Sequence, residues 1–410
     1  MKKKILLLGS TGSIGKSSLN IIRNYKSKLE IVALSTNKNI KLIINQSKEF
    51  KVKNLIINDF ESYKKILNYG LNKKIRIFNN ISDFLKMNKK KFDVTIVGIS
   101  GFDGLDPTLK VIPYSKNLSS ANKESIICGW KFINNKLNKY KTNFIPLDSE
   151  HFSIWSLIKN SNHNMISKIY LTASGGPFLN KSKNKISNAV ISDVIKHPNW
   201  NMGHKISVDS ATLMNKLFEL IEASKIFNLP INKFDIVIHP KSYVHALVNF
   251  KNGLSKILIH DTQMEIPIFN SIFDKTSETY KKNKDINFQN LNGENFIKPS
   301  VSNFPLLKLI KEYKEAIKNS HFFSFLSSEY RNAKNFYSSV AKDGIFVKSK
   351  AINDLSEYQK YISLYDEIQE VKKKLKDDKT FKHILNEDYK FENTSTDLLE
   401  NIIFYTSKII

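Results

Sequence analysis

Three glycines fall within seven positions, Gly9, Gly12 and Gly15, in a chain that holds only 14 glycines among 410 residues. They follow a short apolar run, Ile5 to Leu8, and precede an amphipathic segment carrying Leu19 and Ile22. Strand, glycine turn and helix in that order form the context in which such spacing reads as a dinucleotide fingerprint. The first glycine permits a sharp turn, the second lets a pyrophosphate approach the backbone, and the third lets the helix pack on the strand. The helix N-terminus then offers free N–H groups and a positive dipole to a phosphate. Gly9, Ser10, Thr11, Gly12, Ser13 and Ile14 are therefore candidate cofactor contacts.

The same alternation continues to residue 148. Apolar runs at Lys4–Leu8, Glu30–Leu34, Asn54–Ile57, Ile75–Phe78, Asp93–Val97 and Asn143–Pro146 are separated by helical patterns. The fold class is α/β, with an N-terminal Rossmann-like, doubly wound parallel sheet over 1–148. Ligands of such sheets sit at the carboxyl ends of the strands, here Gly9–Gly15, Gly98–Gly104 and Ala121–Ser125. Residues 149–275 mix helices and strands and hold most of the histidines, which suggests an α+β catalytic domain. Residues 276–303 are polar and poorly periodic and read as a linker. Residues 304–410 are helical in pattern and read as a small C-terminal α-helical domain.

Composition narrows the partners. No apolar run approaches the ~18 residues of a membrane span, so no membrane role is expected. The first strand begins at Ile5, which leaves no room for a leader peptide ahead of it. Cys128 is the sole cysteine, so no disulfide framework is expected, and a reducing cytoplasm is the simplest location. The net charge is +26, yet only Arg23, Arg76 and Arg331 are arginines. Nucleic-acid edges and phosphates favour the planar guanidinium fork, and the lysines are spread along the whole chain, so nucleic acid is not an expected partner. A phosphorylated small anion is.

At the end of the second strand the chain reads Leu34-Ser35-Thr36-Asn37-Lys38-Asn39. A carboxylate there would bind a ribose 2′-hydroxyl and repel a 2′-phosphate. None is present, so Asn37, Lys38 and Asn39 point to NADP rather than NAD. Asp148-Ser149-Glu150 follows an apolar run, and an extended backbone there is expected to turn both carboxylates to one face. Two converging carboxylates suit a hard cation, Mg²⁺ or Mn²⁺. From about Ala211 the pattern is helical, with Leu213, Met214, Leu217, Phe218 and Ile221 on one face and Asn215, Lys216 and Glu219 together on the other. After Ser210, that amide, ammonium and carboxylate could bind a phosphate and a metal together. Ser174-Gly175-Gly176-Pro177 reads as an anion loop, and His197 to Gly203, with Trp200 and Met202, as a lid. His239-Pro240 and His245 carry no role by themselves.

Taken in order, Gly9–Gly15, Ala121-Asn-Lys-Glu-Ser125, Asp148-Ser-Glu-His151, Ser174-Gly-Gly-Pro-Phe178, His197-Pro-Asn-Trp200, Val208-Asp-Ser-Ala-Thr212, Met214-Asn-Lys216 with Glu219, and His239-Pro through His245 closely resemble the 1-deoxy-D-xylulose 5-phosphate reductoisomerase family over roughly residues 3–270. The resemblance implies NADPH-dependent rearrangement and reduction of 1-deoxy-D-xylulose 5-phosphate to 2-C-methyl-D-erythritol 4-phosphate by a homodimer. It implies Asp148, Glu150 and Glu219 as ligands of Mg²⁺ or Mn²⁺, and Ser174, Ser210, Asn215 and Lys216 at the substrate phosphate. Ser149 and Lys123 fall at the substrate's reacting end, and His197, Trp200 and Met202 in the flap. His245 and Met264 lie near substrate and nicotinamide, with Asn122, Glu124 and Gly203 as further cofactor contacts. The chain departs from the family pattern at Asn37, Leu217, Glu265 and Leu326–Glu329. Two rivals stand beside this reading: an NADP-dependent dehydrogenase without rearrangement, and a non-catalytic basic relic of the fold. The first would need no three-carboxylate metal site, and the second would have no use for Lys123, Asp148, Glu150 and Glu219 together.

Overall fold

The computed structural model describes residues 2–69, 74–88, 90–181, 189–200, 204–282, 291–292 and 295–301, with 186, 304 and 307. Two compact units divide the chain: 1–172, 222–235 and 241–295 form one, and 173–221, 236–240 and 296–410 the other. The expected helical domain over 304–410, like Leu326–Glu329, lies outside the described residues apart from Phe304 and Leu307. Most of the expected linker is described and runs without regular helix to Lys282.

In the first unit seven parallel strands stand in the order β4-β3-β2-β1-β5-β6-β7. They are β1 Lys3–Leu8, β2 Leu29–Thr36, β3 Asn54–Ile57, β4 Arg76–Phe78, β5 Phe92–Val97, β6 Ser115–Ser120 and β7 Asn143–Pro146. All six expected strands are present. The seventh, β6, has the sequence SKNLSS, and no apolar run marks it. It is nonetheless central: Leu118, Ser119 and Ser120 are buried, paired with β5 on one side and β7 on the other. Its hydroxyls are accommodated by bonds such as Ser115 Oγ to Thr95 Oγ1 at 2.6 Å.

The connecting helices are α1 Ser13–Asn24, α2 Ile40–Phe50, α3 Phe60–Leu67, α4 Ile81–Lys86, α5 Leu105–Val111 and α6 Lys123–Tyr140. α1, α2 and the sheet share one core containing Ile5, Leu7, Leu19, Ile22, Leu34, Ile43 and Ile96. The helix Glu265–Ile272 joins that core through Ile268, Phe269, Ile272 and the following Phe273, with Tyr25, the C-cap of α1, against both aromatic rings at 5.4 and 5.1 Å. Strand order reverses between β1 and β5, which places the switch point at the glycine turn.

Helix α7, Ser149–Ile158, follows β7 and packs on a second sheet ordered β11-β10-β8-β9. Its strands are β8 Ile166–Ala173, β9 Phe234–Ile238, β10 Val244–Phe250 and β11 Ser255–Ile259, with β10 antiparallel to β8 and β11. The second unit contributes the helices His204–Ala211 and Met214–Phe227, the latter divided between the units at Glu222. Leu213, at φ 63°, breaks the chain between them, so the helix begins at Met214 and not at Ala211 as expected. Among the described residues no helix is long and apolar enough to cross a membrane.

Candidate active site

The glycine turn is built to close on itself. A Cβ at Gly15 would lie 2.3 Å from the Gly9 carbonyl oxygen, so only glycine lets α1 start this close to the end of β1. Ser10 is fully buried and its hydroxyl donates to Gln46 Oε1 at 2.7 Å, while Thr11 Oγ1 lies 2.7 Å from Thr36 Oγ1. These side chains fix the turn to β2 and α2, and the turn's backbone is what remains to meet a ligand. Gly12 is the N-cap of α1, and no side chain satisfies the helix's first N–H groups. Ser13 and Ile14 open the helix. Asn37 and Lys38 follow β2, and Asn39 caps α2 by accepting from Leu42 N–H at 3.1 Å.

Asn122 caps α6 in the same way, accepting from Ser125 N–H at 2.7 Å, and is almost wholly buried. Its amide nitrogen donates to the carbonyls of Ile99 and Gly101, both at 2.6 Å, and so clasps the loop after β5. The cap leaves Lys123 and Glu124 in the first turn of α6.

Asp148 and Glu150 are brought to one end of α7, but not by the extended backbone expected from the sequence. Asp148 is the N-cap of α7 and accepts from Glu150 N–H at 3.3 Å, while Ser149 and Glu150 already belong to the helix. The capping bond sets the pair: Asp148 reaches back over the helix start as Glu150 projects from its first turn. Ser149 donates its hydroxyl to Glu150 Oε2, and the Lys123 ammonium sits on Asp148 Oδ2. His151, fully buried, places Nδ1 3.2 Å from Asp148 Oδ1 and 3.4 Å from Oε2 of the equally buried Glu222. Burial pushes the Asp148 carboxyl up, but Lys123 and His151 outweigh it and hold the group well below the usual carboxylate range. Burial opposes charge on His151, yet Glu222 and Asp148 raise its pKa to about 9. Burial pushes the Glu222 carboxyl up to about 7, against the pull of His151.

In the second unit the helix Met214–Phe227 carries its own charged set. Glu219 is 1% exposed and Lys216 5%, so they form a buried pair and not a solvated face. Lys216 Nζ donates to Glu219 Oε2 at 2.5 Å, and Asn215 donates to Glu219 Oε1. The Ser174 loop lies against Ser210: a Cβ at Gly176 would meet the Ser210 carbonyl oxygen at 3.0 Å and the Ala211 Cα at 2.9 Å. Ser174 Oγ accepts from Gly176 N–H at 3.0 Å and lies 2.9 Å from His197 Nε2. His197 Nδ1 accepts from Trp200 N–H at 2.9 Å, so the ring ties the start of the expected lid to the anion loop. Met202 and Gly203 lie outside the described residues.

Two expected contacts stand elsewhere in the first unit. His245 Nε2 lies 3.0 Å from the His260 carbonyl, and the two imidazoles stack at 3.6 Å. Met264 packs against the sheet core together with Ile14. Beside it Glu265, one of the departures, accepts from Asn20 of α1 at 3.0 Å and pairs with Lys282 at 2.7 Å, so its charge is compensated on the spot. Leu217, another departure, is buried within its helix. Sequence reasoning assigned no role to Glu222 and none of its own to His151. A carboxylate three residues after Glu219, on the same helical face, was the available signal for Glu222.

Residues 5–129 match the family described as 1-deoxy-D-xylulose 5-phosphate reductoisomerase, and residues 144–227 match the C-terminal domain of the same family. A 1-deoxy-D-xylulose 5-phosphate reductoisomerase of Pelagibacter ubique is 52% identical over 310 residues, covering 75% of this chain and 80% of the relative. The enzyme of Caldanaerobacter subterraneus is 36% identical over 307 residues, with shares of 75% and 80%. Among solved structures, the reductoisomerase of Zymomonas mobilis in complex with NADPH aligns with TM-score 0.74 at 25% identity, over 99% of this chain and 98% of that one. A reductoisomerase in complex with NADPH, fosmidomycin and magnesium aligns with TM-score 0.73 at 27% identity, over 99% and 96%.

Proposed function

This chain belongs to the 1-deoxy-D-xylulose 5-phosphate reductoisomerase family, and we propose that it converts 1-deoxy-D-xylulose 5-phosphate to 2-C-methyl-D-erythritol 4-phosphate with NADPH and a divalent cation. The observation that carries this reading is the charge pattern around the carboxylates. In the first unit Asp148 already holds an ammonium group, and in the second Glu219 does too. Carboxylates partly or wholly out of water, each against a cation, are a donor set fitted to a hard metal ion. Asp148, Glu150 and Glu219 would hold it, with Mg²⁺ and Mn²⁺ both acceptable to oxygen ligands. A cation bound there supplies Lewis-acid polarisation of the substrate's ketone and neighbouring hydroxyl oxygens.

The remaining work falls to the chain's own groups. Lys123, paired with Asp148, would offer its ammonium to the substrate's reacting end beside Ser149. Lys216 and Asn215, with Ser174 and Ser210, would hold the substrate phosphate. That anchoring, remote from the reacting carbons, orients the substrate and helps close the His197–Trp200 segment over it. The glycine turn would take the pyrophosphate of NADPH, and Asn37, Lys38 and Asn39 its 2′-phosphate, with Asn122, Glu124 and Gly203 as further contacts. His245 and Met264 would border the nicotinamide and substrate. The domain limits proposed are 1–148 for NADPH, 149–275 for metal and substrate, a linker over 276–303 and a helical domain over 304–410. A homodimer in the cytoplasm is the proposed state.

Product analysis tests the reaction. Incubation with substrate, NADPH and Mg²⁺ is expected to yield the branched polyol phosphate, one per NADPH consumed. NADPH consumption giving an unrearranged alcohol would instead establish a simple dehydrogenase. No consumption by folded, NADPH-binding protein would establish a relic.

A further inference from the structure

Glu222 is a fully buried carboxylate on a helix whose neighbouring residues Leu220, Ile221 and Ala223 are buried and apolar. An ionisable group in such a place is expensive, and an apolar side chain of similar volume would fill the space at lower cost. Among the described residues Glu222 makes no hydrogen bond, and its ion-pair partner is His151 Nδ1 at 3.4 Å. That same nitrogen lies 3.2 Å from Asp148 Oδ1. Asp148 Oδ1 thus accepts from Glu150 N–H and faces the imidazole across an ion-pair distance, while Oδ2 holds the Lys123 ammonium. All three members of this row, the half-buried Asp148 and the buried His151 and Glu222, belong to the first unit.

We propose that Glu222 is a positioning residue for the cation site: it fixes the His151 ring, which in turn holds Asp148 by Oδ1 and leaves Oδ2 to meet the metal. This rests on the reading of Asp148 as a metal ligand. Carboxylate ligands are commonly oriented by such hydrogen-bonded outer partners, whose loss weakens metal binding by about 10–100-fold.

The test is titration of the full-length, NADPH-free protein with Mn²⁺ alone, read by electron paramagnetic resonance. Glu222→Gln and His151→Gln are each expected to weaken Mn²⁺ binding by ~10-fold or more. The double variant is expected to be no weaker than the worse single, because Glu222 acts through His151. NADPH affinity should not move in any of them. Glu222→Asp keeps the charge but shortens the reach, and is expected to weaken Mn²⁺ binding several-fold; it serves if Glu222→Gln does not fold. Wild-type affinity in the Glu222 variants, or losses that multiply in the double variant, would overturn the proposal. Wild-type protein that binds no Mn²⁺ would overturn the metal-site reading itself, and this inference with it.

Discussion

The glycine turn at 9–15 and the charged row behind α7 serve neighbouring tasks by opposite means. The turn works with backbone: its side chains are small, inward-bonded or absent, and what it presents is the start of a helix. The row works with titratable side chains, wholly or partly out of water, whose properties come from one another: Asp148 is held down by Lys123 and His151, and His151 is held up by Glu222. Backbone sites tolerate no added atoms, and side-chain sites tolerate no lost charges. Each can be broken in its own way.

The largest effect is expected in the charged row. Asp148→Asn removes a proposed ligand and leaves Lys123 and His151 without their shared carboxylate. Turnover should fall by about 1,000-fold or more, with NADPH affinity retained, in steady-state kinetics and fluorescence titration. The turn should fail differently. Gly15→Ala puts a methyl group 2.3 Å from the Gly9 oxygen, whereas at Gly12 the same methyl meets that oxygen at 3.5 Å, an ordinary contact. Gly15→Ala is therefore expected to lower the melting temperature and NADPH affinity together, the latter by about 100-fold. Gly12→Ala should leave melting unchanged and weaken NADPH alone. Equal melting of the two variants would show that the turn can yield.

These two regions also differed in how far the sequence revealed them. The turn was legible because a backbone constraint leaves a residue type behind: only glycine fits at Gly15, so spacing alone pointed to it. The parallel sheet followed from its apolar runs, except β6, whose SKNLSS sequence carries hydroxyls that bond within the sheet and so lacks the usual mark of a buried strand. In the charged row the residue types were visible and their geometry was not. Asp148 and Glu150 meet through a helix cap that an extended reading misses. Lys216 and Glu219 look like a solvated face in one dimension, because burial of a charged pair depends on what packs over it. Glu222 was missed for the same reason.

The remaining predictions sharpen the contrast by degrees. His151 is raised from 6.5 to about 9 and Glu222 from 4.5 to about 7, so between those values the folded protein holds a proton on each group that the unfolded chain has lost. Each contribution to stability is fully present below the unfolded value and is lost by the folded one, so that of Glu222 fades from pH 4.5 to about 7 and that of His151 from 6.5 to about 9. Metal-free protein should lose on the order of 5 °C in melting temperature over that interval, and His151→Gln should flatten the slope. Lys38→Ala should raise KM for NADPH by about 5-fold and leave NADH nearly unaffected, since one exposed lysine on a 2′-phosphate contributes about 1 kcal/mol. The smallest change belongs to a pair in neither region. Glu49→Gln breaks the exposed contact with Arg23 and should alter stability by less than ~1 kcal/mol in chemical denaturation.

The central claim is that Asp148, Glu150 and Glu219 form one cation site on which turnover depends. The most direct measurement follows NADPH absorbance with 1-deoxy-D-xylulose 5-phosphate and Mn²⁺, adds chelator during the reaction, and repeats the trace with Glu219→Gln. Oxidation is expected to need substrate and metal, to stop with chelator, and to be nearly absent in the variant while its NADPH binding persists. Oxidation that continues through chelation, or a variant that matches the wild type, would contradict it.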